Sequence, residues 1–437
     1  MKIVFIEPAA SEANVYSKLH MPLLGPIYLG TILRDRGHKV EIYHEEIYRP
    51  DYARLEADLI GVSILTSTAR RGYEIAKMFP KEKIIMGGAH ASLLPQEALR
   101  YARQVVVGEA EEAIADIVEG KRAEPIIEGK AIQELDKLPF PDFSLIKGYR
   151  PCSSLVPVST SRGCPFDCTF CSVTKLFGRS YRFRSAANVL EELRLRDTSK
   201  IFFCDDNFAA HPSRTRKLLE LMHENKIKNW TCQVRCDITK DDMLLSLMRK
   251  GGCSVVCVGF ESINNSTLQA YQKKQSLEDI VRSIRAFHKK KIKIHGMFVL
   301  GGDDDSERTV WETLKFAIKQ KIDTIQMTVL TPLPGTKIYS DLKKQQRIFS
   351  HDWNLYDGQH VVFEPKLLSA RQLQTSIAKA YACFYSLPRT LLLIGKLHFR
   401  NALFRLMGYQ IVRQWLQRNR TMHWLPDRII PPRFSLQ

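Results

Sequence analysis

A chain of 437 residues, 44% apolar and 26% charged, is long enough for two or three packed domains and too apolar for a disordered protein. Its formal charge of +18 suggests an acidic partner: nucleic acid, an anionic lipid surface or a polyanionic small molecule. No run of five Lys/Arg with interleaved aromatics occurs, so the sequence does not point to nucleic acid, and no apolar run approaches the roughly 18 residues of a membrane-spanning helix.

The chain opens on Met1-Lys-Ile-Val-Phe-Ile-Glu7, which reads as a strand and not as a secretory signal, so a cytoplasmic location is expected. Residues 1–130 alternate strand and helix signals. Strands are expected at Lys2–Ile6, Lys39–Tyr43, Leu59–Ser63, Lys83–Met86 and Val105–Val107, with an amphipathic helix at Leu24–Arg36 closed by Gly37. Continuous apolar strands separated by helices imply a doubly wound, Rossmann-like parallel sheet covered on both faces. Ligands of such sheets lie beyond the carboxyl ends of the strands. The residues there are Glu7, Pro8, Ser63, Thr66, Gly87, Gly88, His90, Gly108 and Glu109. A plain strand-to-helix turn explains Gly87-Gly88 equally well.

Glu134-Leu-Asp-Lys-Leu-Pro-Phe-Pro-Asp142 reads as a linker stiffened by its prolines, giving domains over 1–130 and 151–345 joined by 131–150. In the second domain, strands are expected at Val156–Thr160, Ile201–Cys204, Thr231–Val234, Ser254–Gly259, Lys293–Val299 and Thr324–Val329. Helices are expected around Ala187–Leu195, Ser213–Glu224, Asp241–Lys250, Leu277–Lys290 and Glu307–Gln320. Six such strands suit a partial (β/α)6 barrel and fall two short of a full one.

The stretch Ser161-Arg-Gly-Cys-Pro-Phe-Asp-Cys-Thr-Phe-Cys171 dominates this domain. Cys164, Cys168 and Cys171 form a Cys-x3-Cys-x2-Cys spacing that can aim three thiolates at one point, and thiolate is the iron–sulfur ligand. Structural zinc needs four closed ligands, and no fourth Cys or His stands at a usual spacing. All ten cysteines lie at or after Cys152, and a disulfide framework suits so large a chain poorly.

With an aromatic-rich βα pattern behind it, this motif resembles the radical S-adenosylmethionine (SAM) superfamily. That resemblance implies a [4Fe–4S] cluster on the three cysteines, with one open iron chelating SAM, and reductive cleavage of SAM to a 5′-deoxyadenosyl radical. It also implies an external reductant such as flavodoxin or ferredoxin. Phe170 matches an aromatic the family often has between the last two cysteines. Residues 1–130 resemble the cobalamin-binding domain placed ahead of many such enzymes, through Pro22-Leu-Leu-Gly-Pro-Ile-Tyr-Leu-Gly30, Ser63-Ile-Leu-Thr66, Met86-Gly-Gly-Ala-His-Ala-Ser92 and Val107-Gly-Glu109. The Asp-x-His-x-x-Gly signature that supplies a cobalt-ligating histidine is absent from the first loop, Glu7-Pro-Ala-Ala-Ser-Glu12, as in several radical enzymes of this class. His20 and His90 are expected to be loop or packing residues.

The resemblance places further residues around SAM. Asp205 and Asp206, in Asp205-Asp-Asn-Phe208, suit its ammonium, although an N-cap role is also physically sound. Arg235 closes the third barrel strand, Glu261 in Gly259-Phe-Glu-Ser262 the fourth, and Gly301 the fifth; Pro332 shapes the loop after the sixth. Cys232, Cys253 and Cys257 read as buried hydrophobes, and Cys204 is the one extra cysteine placed for chemistry.

Residues 346–437 form a basic extension, expected to be helical over Leu373–Tyr385 and Thr390–Leu416 and irregular around Pro426, Pro431 and Pro432. From Arg389 to Arg433 it holds nine Lys/Arg and one acid, Asp427. Three roles fit: a cap on the barrel, a lid over an anionic substrate, or peripheral contact with a membrane. The resulting expectation is a cobalamin-dependent radical SAM enzyme that methylates an unactivated carbon, or cyclises or rearranges a small-molecule or lipid substrate. The alternatives are a radical enzyme without functional cobalamin, a methylthiotransferase acting on RNA or protein, and a non-catalytic cobalamin-responsive protein. The methylthiotransferase would need three N-terminal cysteines, and none precedes Cys152.

Overall fold

The computed structural model describes residues 1–10, 21–150, 155–196, 200–395 and 399–426. The end of the first loop (Ser11, Glu12), His20, Cys152, Lys396 and the tail from Asp427 onward lie outside the described residues.

The first sheet contains β1 (Lys2–Glu7), β2 (Lys39–His44), β3 (Leu59–Ser63), β4 (Ile84–Gly87), β5 (Gln104–Val107) and β6 (Ile126–Glu128), in the order β2-β1-β3-β4-β5-β6. Every pairing is parallel. Strands so enclosed read as unbroken apolar runs, and Ile3, Val4, Ile6, Ile60, Val62 and Met86 are fully buried. Strand order reverses between β1 and β3, which opens a crevice at their carboxyl ends. The short edge strand β6 carries too few residues for an apolar period, and the sequence reading omits it.

Further along come β7 (Val156–Val158), β8 (Ser161–Arg162), β9 (Arg182–Phe183), β10 (Ile201–Phe203), β11 (Trp230–Val234), β12 (Cys253–Glu261), β13 (Lys293–Leu300) and β14 (Thr324–Val329). Six of them form a second sheet in the order β14-β13-β12-β11-β10-β7, and β8 with β9 makes a small antiparallel hairpin. The pairings β7·β10, β12·β13 and β13·β14 are parallel, as a βα alternation demands. The helices at Ala186–Arg194, Pro212–Glu224, Asp242–Lys250, Leu277–Lys289 and Glu307–Lys319 fall where the apolar spacing predicts them.

The chain divides into two compact units. One runs up to Pro165 and includes Ser172–Trp230; the other combines Phe166–Cys171 with the chain from Thr231 onward. Cys164 therefore belongs to the first unit, and Cys168 and Cys171 to the second.

In the second unit the C-terminal extension packs on the edge strand β14. Helix Ala370–Phe384 brings the Tyr381 hydroxyl to the Met327 N–H at 2.6 Å, and the Tyr385 hydroxyl accepts from the Ile325 N–H at 3.0 Å and donates to its carbonyl at 2.7 Å. Side-chain hydroxyls thus satisfy backbone groups that an edge strand leaves unpaired. The single helix expected over Thr390–Leu416 is instead two, Leu387–Gly395 and Phe399–Arg418. The Arg405 guanidinium lies 3.7 Å from the Phe384 ring centroid and donates to the Phe384 carbonyl. No helix among the described residues is long and apolar enough to cross a membrane.

Candidate active site

The crevice of the first sheet opens into a cavity of about 320 Å³. Its floor is the set of strand ends: Ser63 after β3, Gly87 and Gly88 after β4, Gly108 and Glu109 after β5. Leu24, Gly25, Tyr28 and Leu29 close one side, and Ser161, Arg162, Cys204 and Asp206 another. A Cβ on Gly25 would meet nothing within 4 Å, and one on Gly87 nothing nearer than 3.9 Å, so side chains there would simply stand in the open space. Gly88 differs. Its φ is +93°, and a Cβ would sit 2.7 Å from the Ile64 carbonyl, so only glycine lets the chain turn over β3. Thr66, expected among these residues, does not line the cavity. Its hydroxyl lies 3.3 Å from Nδ1 of fully buried His90.

Glu109 touches the cavity, but its carboxylate is fully engaged. It accepts from Arg162 at 2.8 Å, from both terminal nitrogens of Arg182, and from the Ile132 N–H at 3.0 Å. Burial works to raise its pKa, yet Arg182, Arg162 and the Ile132 N–H hold the carboxyl below the usual range. The second arm of Arg162 donates to Glu111 at 2.5 Å. These contacts pin the β8–β9 hairpin, and Arg162 stands two residues before Cys164. The sequence places Arg162 inside the cysteine motif but carries no sign that Glu111 and Arg182 are its companions.

Asp205 and Asp206, adjacent in sequence, part in space. Asp205 is 1% exposed and accepts from the Ser161 hydroxyl at 2.5 Å and the Thr160 N–H at 2.9 Å. Asp206 lines the cavity and is exposed, although protein atoms crowd it. Desolvation first, and then the Asp205 carboxylate, push its carboxyl up to about 6, while the Gly163 N–H opposes the shift. Neither caps the next helix, whose cap is His211. Cys204 also faces the cavity, and burial drives its thiol well above the ordinary range, so it stays protonated.

The second unit holds the remaining expected residues. The Cys171 N–H donates to the Cys168 carbonyl at 3.1 Å, which closes a tight turn. Phe170 meets Tyr271 edge-on at 5.1 Å, and the Thr169 N–H donates to the Tyr271 carbonyl. The Arg235 guanidinium lies 3.7 Å from the centroid of Phe166, between the first two cysteines, and donates to the Lys273 carbonyl. Glu261 has a φ of +63° at a break in the β12·β13 register, and its carboxylate accepts from Lys273 Nζ at 2.6 Å. This buried pair folds over Gly259, where a Cβ would stand 2.5 Å from the Glu261 carboxylate. Burial opposes the charge on Lys273, but Glu261 outweighs it and raises the pKa, and the Cys168 sulfur adds to the rise. Gly301 and Gly302 donate their N–H groups to Asp305 at 3.0 Å each, and Gly301 packs on Leu373, so their close approach is internal. Pro332 is buried. Lys273, Tyr271 and Asp305 carry no motif, and sequence reading misses them.

Residues 158–317 match the radical SAM superfamily and residues 14–118 the B12 binding domain. The chain is 29% identical over 338 residues to the bacteriochlorophyllide d C-12(1)-methyltransferase of Chlorobaculum tepidum, covering 74% of this chain and 73% of that one. It is 28% identical over 434 residues to an uncharacterized methyltransferase of Pyrococcus horikoshii, covering 90% and 94%. Its fold is similar to that of the cobalamin-dependent S-adenosylmethionine radical enzyme OxsB, with TM-score 0.69, 15% identity and coverage of 97% and 76%. The chain is a radical SAM enzyme. More particularly, it belongs to the radical SAM proteins that carry a cobalamin-binding domain, and its cofactors are a [4Fe–4S] cluster, SAM and cobalamin.

The residues present suit these groups. No disulfide occurs among the nine described cysteines, so thiol ligands are available. The Arg235 guanidinium and the Lys273 ammonium place positive charge beside the Phe166–Cys171 turn. No three His, Cys, Asp or Glu side chains among the described residues are already gathered at metal-binding distances, so the donor set is identified by its chemistry. The glycine-floored crevice offers a flat cofactor backbone contact without side chains in the way. When bound, the cluster would supply an electron and cobalamin its cobalt chemistry; the chain supplies the cradle and the counter-charges.

Proposed function

We propose that this enzyme transfers a methyl group to an unactivated carbon of a small, largely apolar molecule, in a reaction that consumes SAM both as radical source and as methyl source. The glycine-floored cavity at the strand ends, with Cys204 and Asp206 on its wall, carries this reading. The methyltransferases it is similar to, one of them named for a bacteriochlorophyllide, support methylation and a tetrapyrrole-sized substrate class. Cys164, Cys168 and Cys171 hold the cluster and Asp206 faces SAM or substrate; Ser63, Gly87, Gly88 and Gly108 cradle cobalamin. Phe170, Arg235, Glu261, Gly301 and Pro332 shape the SAM side, Asp205 and Glu109 hold the loops around it, and the working division is 1–130, 131–150, 151–345 and 346–437.

Anaerobic reconstitution with iron, sulfide and hydroxocobalamin, followed by desalting, tests it. About four irons and stoichiometric cobalt are expected, with deuteromethyl-SAM yielding both 5′-deoxyadenosine and S-adenosylhomocysteine. Iron without cobalt would remove cobalamin-borne methylation. Changing Cys164, Cys168 and Cys171 together to Ala should abolish iron loading and SAM cleavage, and cleavage that survived would sink the cluster assignment.

Peripheral contact with an anionic membrane belongs to the same proposal. Leu403, Phe404, Leu406 and Met407 are exposed on a helix whose Arg413 and Arg418 also face solvent, a composition suited to an acidic lipid surface. Flotation with phosphatidylglycerol vesicles, set against phosphatidylcholine vesicles, decides it. Equal recovery in the two would remove the electrostatic part.

A further inference from the structure

A second concavity, of about 440 Å³, lies in the second unit, and four of its lining residues are cations: Arg235, Lys240, Lys274 and Arg282. Two acids line it as well, and both are already taken. Asp279 accepts from Arg282 at 2.5 Å and caps its own helix through Ser276; Asp237 lies 3.6 Å from Arg235. Lys240 and Lys274 are exposed, and neither pairs with an acid among the described residues. The two consecutive lysines at 273 and 274 diverge: Lys273 turns inward to Glu261, and Lys274, with a φ of +52°, turns out into the groove.

This groove backs directly onto the cysteine turn. Arg235 lines it with one part of its side chain and lies over Phe166 with its guanidinium, and Lys273, next to Lys274, is within electrostatic reach of Cys168. Resting on the radical reading above, we infer that the groove is where an acidic electron-carrier protein docks to reduce the cluster. The carrier loses one electron and the cluster gains it; no bond or proton moves in this step. Electron-transfer encounters are small and short-lived, so a few unpaired cations next to the acceptor can steer them without a large apolar interface.

The test uses the reconstituted full chain with a bacterial flavodoxin as the probe. Lys240→Glu with Lys274→Glu is compared with wild type and with Lys39→Glu/Lys81→Glu, which makes the same charge change at exposed sites on the first unit. Three readouts are taken: flavodoxin affinity, the rate at which reduced flavodoxin bleaches the cluster absorbance, and dithionite-driven SAM cleavage. The groove variant should lose about tenfold in affinity and in bleaching rate, with a flatter salt dependence, while dithionite-driven cleavage stays at the wild-type rate. Unchanged affinity and bleaching would overturn the inference, as would an equal loss in the control variant or a parallel loss with dithionite. Wild type that fails to cleave SAM with dithionite would instead remove the radical reading itself.

Discussion

The acids at two of the strand ends, those of β10 and β12, dispose of their charge in opposite ways. Beyond β10 in the first unit, Asp205 is sealed on hydroxyl and N–H donors, while its neighbour Asp206 stays accessible in the cavity wall. At the end of β12 in the second unit a single acid, Glu261, is turned inward and neutralised by the ammonium of Lys273. Neutral donors hold a carboxylate by several shared bonds, so each is replaceable in part. A buried ion pair is all or nothing, because removing one partner strands the other charge. The site beside the cysteine turn is therefore the brittle one, and the cavity wall is the adaptable one.

The largest expected effect comes from breaking the pair. Lys273→Met leaves Glu261 buried with no cation and should cost about 3–5 kcal/mol in urea unfolding. A loss below about 1 kcal/mol would mean that Glu261 simply takes up a proton or water, and the contrast between the two strand ends would collapse.

Asp205→Asn comes next. The amide keeps one acceptor oxygen but brings an NH2 group against the Ser161 and Thr160 donors, for an expected cost of about 1–3 kcal/mol by the same measurement. A cost equal to that of Lys273→Met would make the two sites energetically alike.

Asp206→Asn should match wild type near pH 4 and be slightly more stable than it at neutral pH, by no more than about 1 kcal/mol because the side chain is solvent-exposed, so its signal lies in the pH profile. The native carboxyl keeps its proton up to about 6, whereas the unfolded one releases it near its ordinary value. Between those values the native state binds the extra proton, so this group makes stability fall as pH rises through the window, with no further change above it. The Asn variant should show a shallower fall than wild type in urea midpoints taken from pH 4 to 7. Superimposable profiles would mean that Asp206 titrates as it does in the unfolded chain.

Much of the fold is legible in the sequence because buried parallel strands advertise themselves. Leu59–Ser63 and Thr324–Val329 match their expected bounds, the first as a continuous buried run and the second as an alternation of buried apolar and half-buried polar residues. Elements that are short or held by partners far along the chain leave no such trace. Strand β6 and the β8–β9 hairpin span two or three residues each, and the helix Lys337–Lys344 buries only Leu342.

The site divides along the same line. The cysteine spacing, the glycines at strand ends and the order of βα units are local features, written in consecutive residues, and they determine the family and its cofactors. Which acids remain accessible is not local. Asp205 is claimed by Ser161, 44 residues away, Glu109 by Arg182, 73 away, and Glu261 by Lys273 across a positive-φ turn. A carboxylate takes its role from the donors that tertiary packing brings within 3 Å, and no one-dimensional pattern records which donors those are.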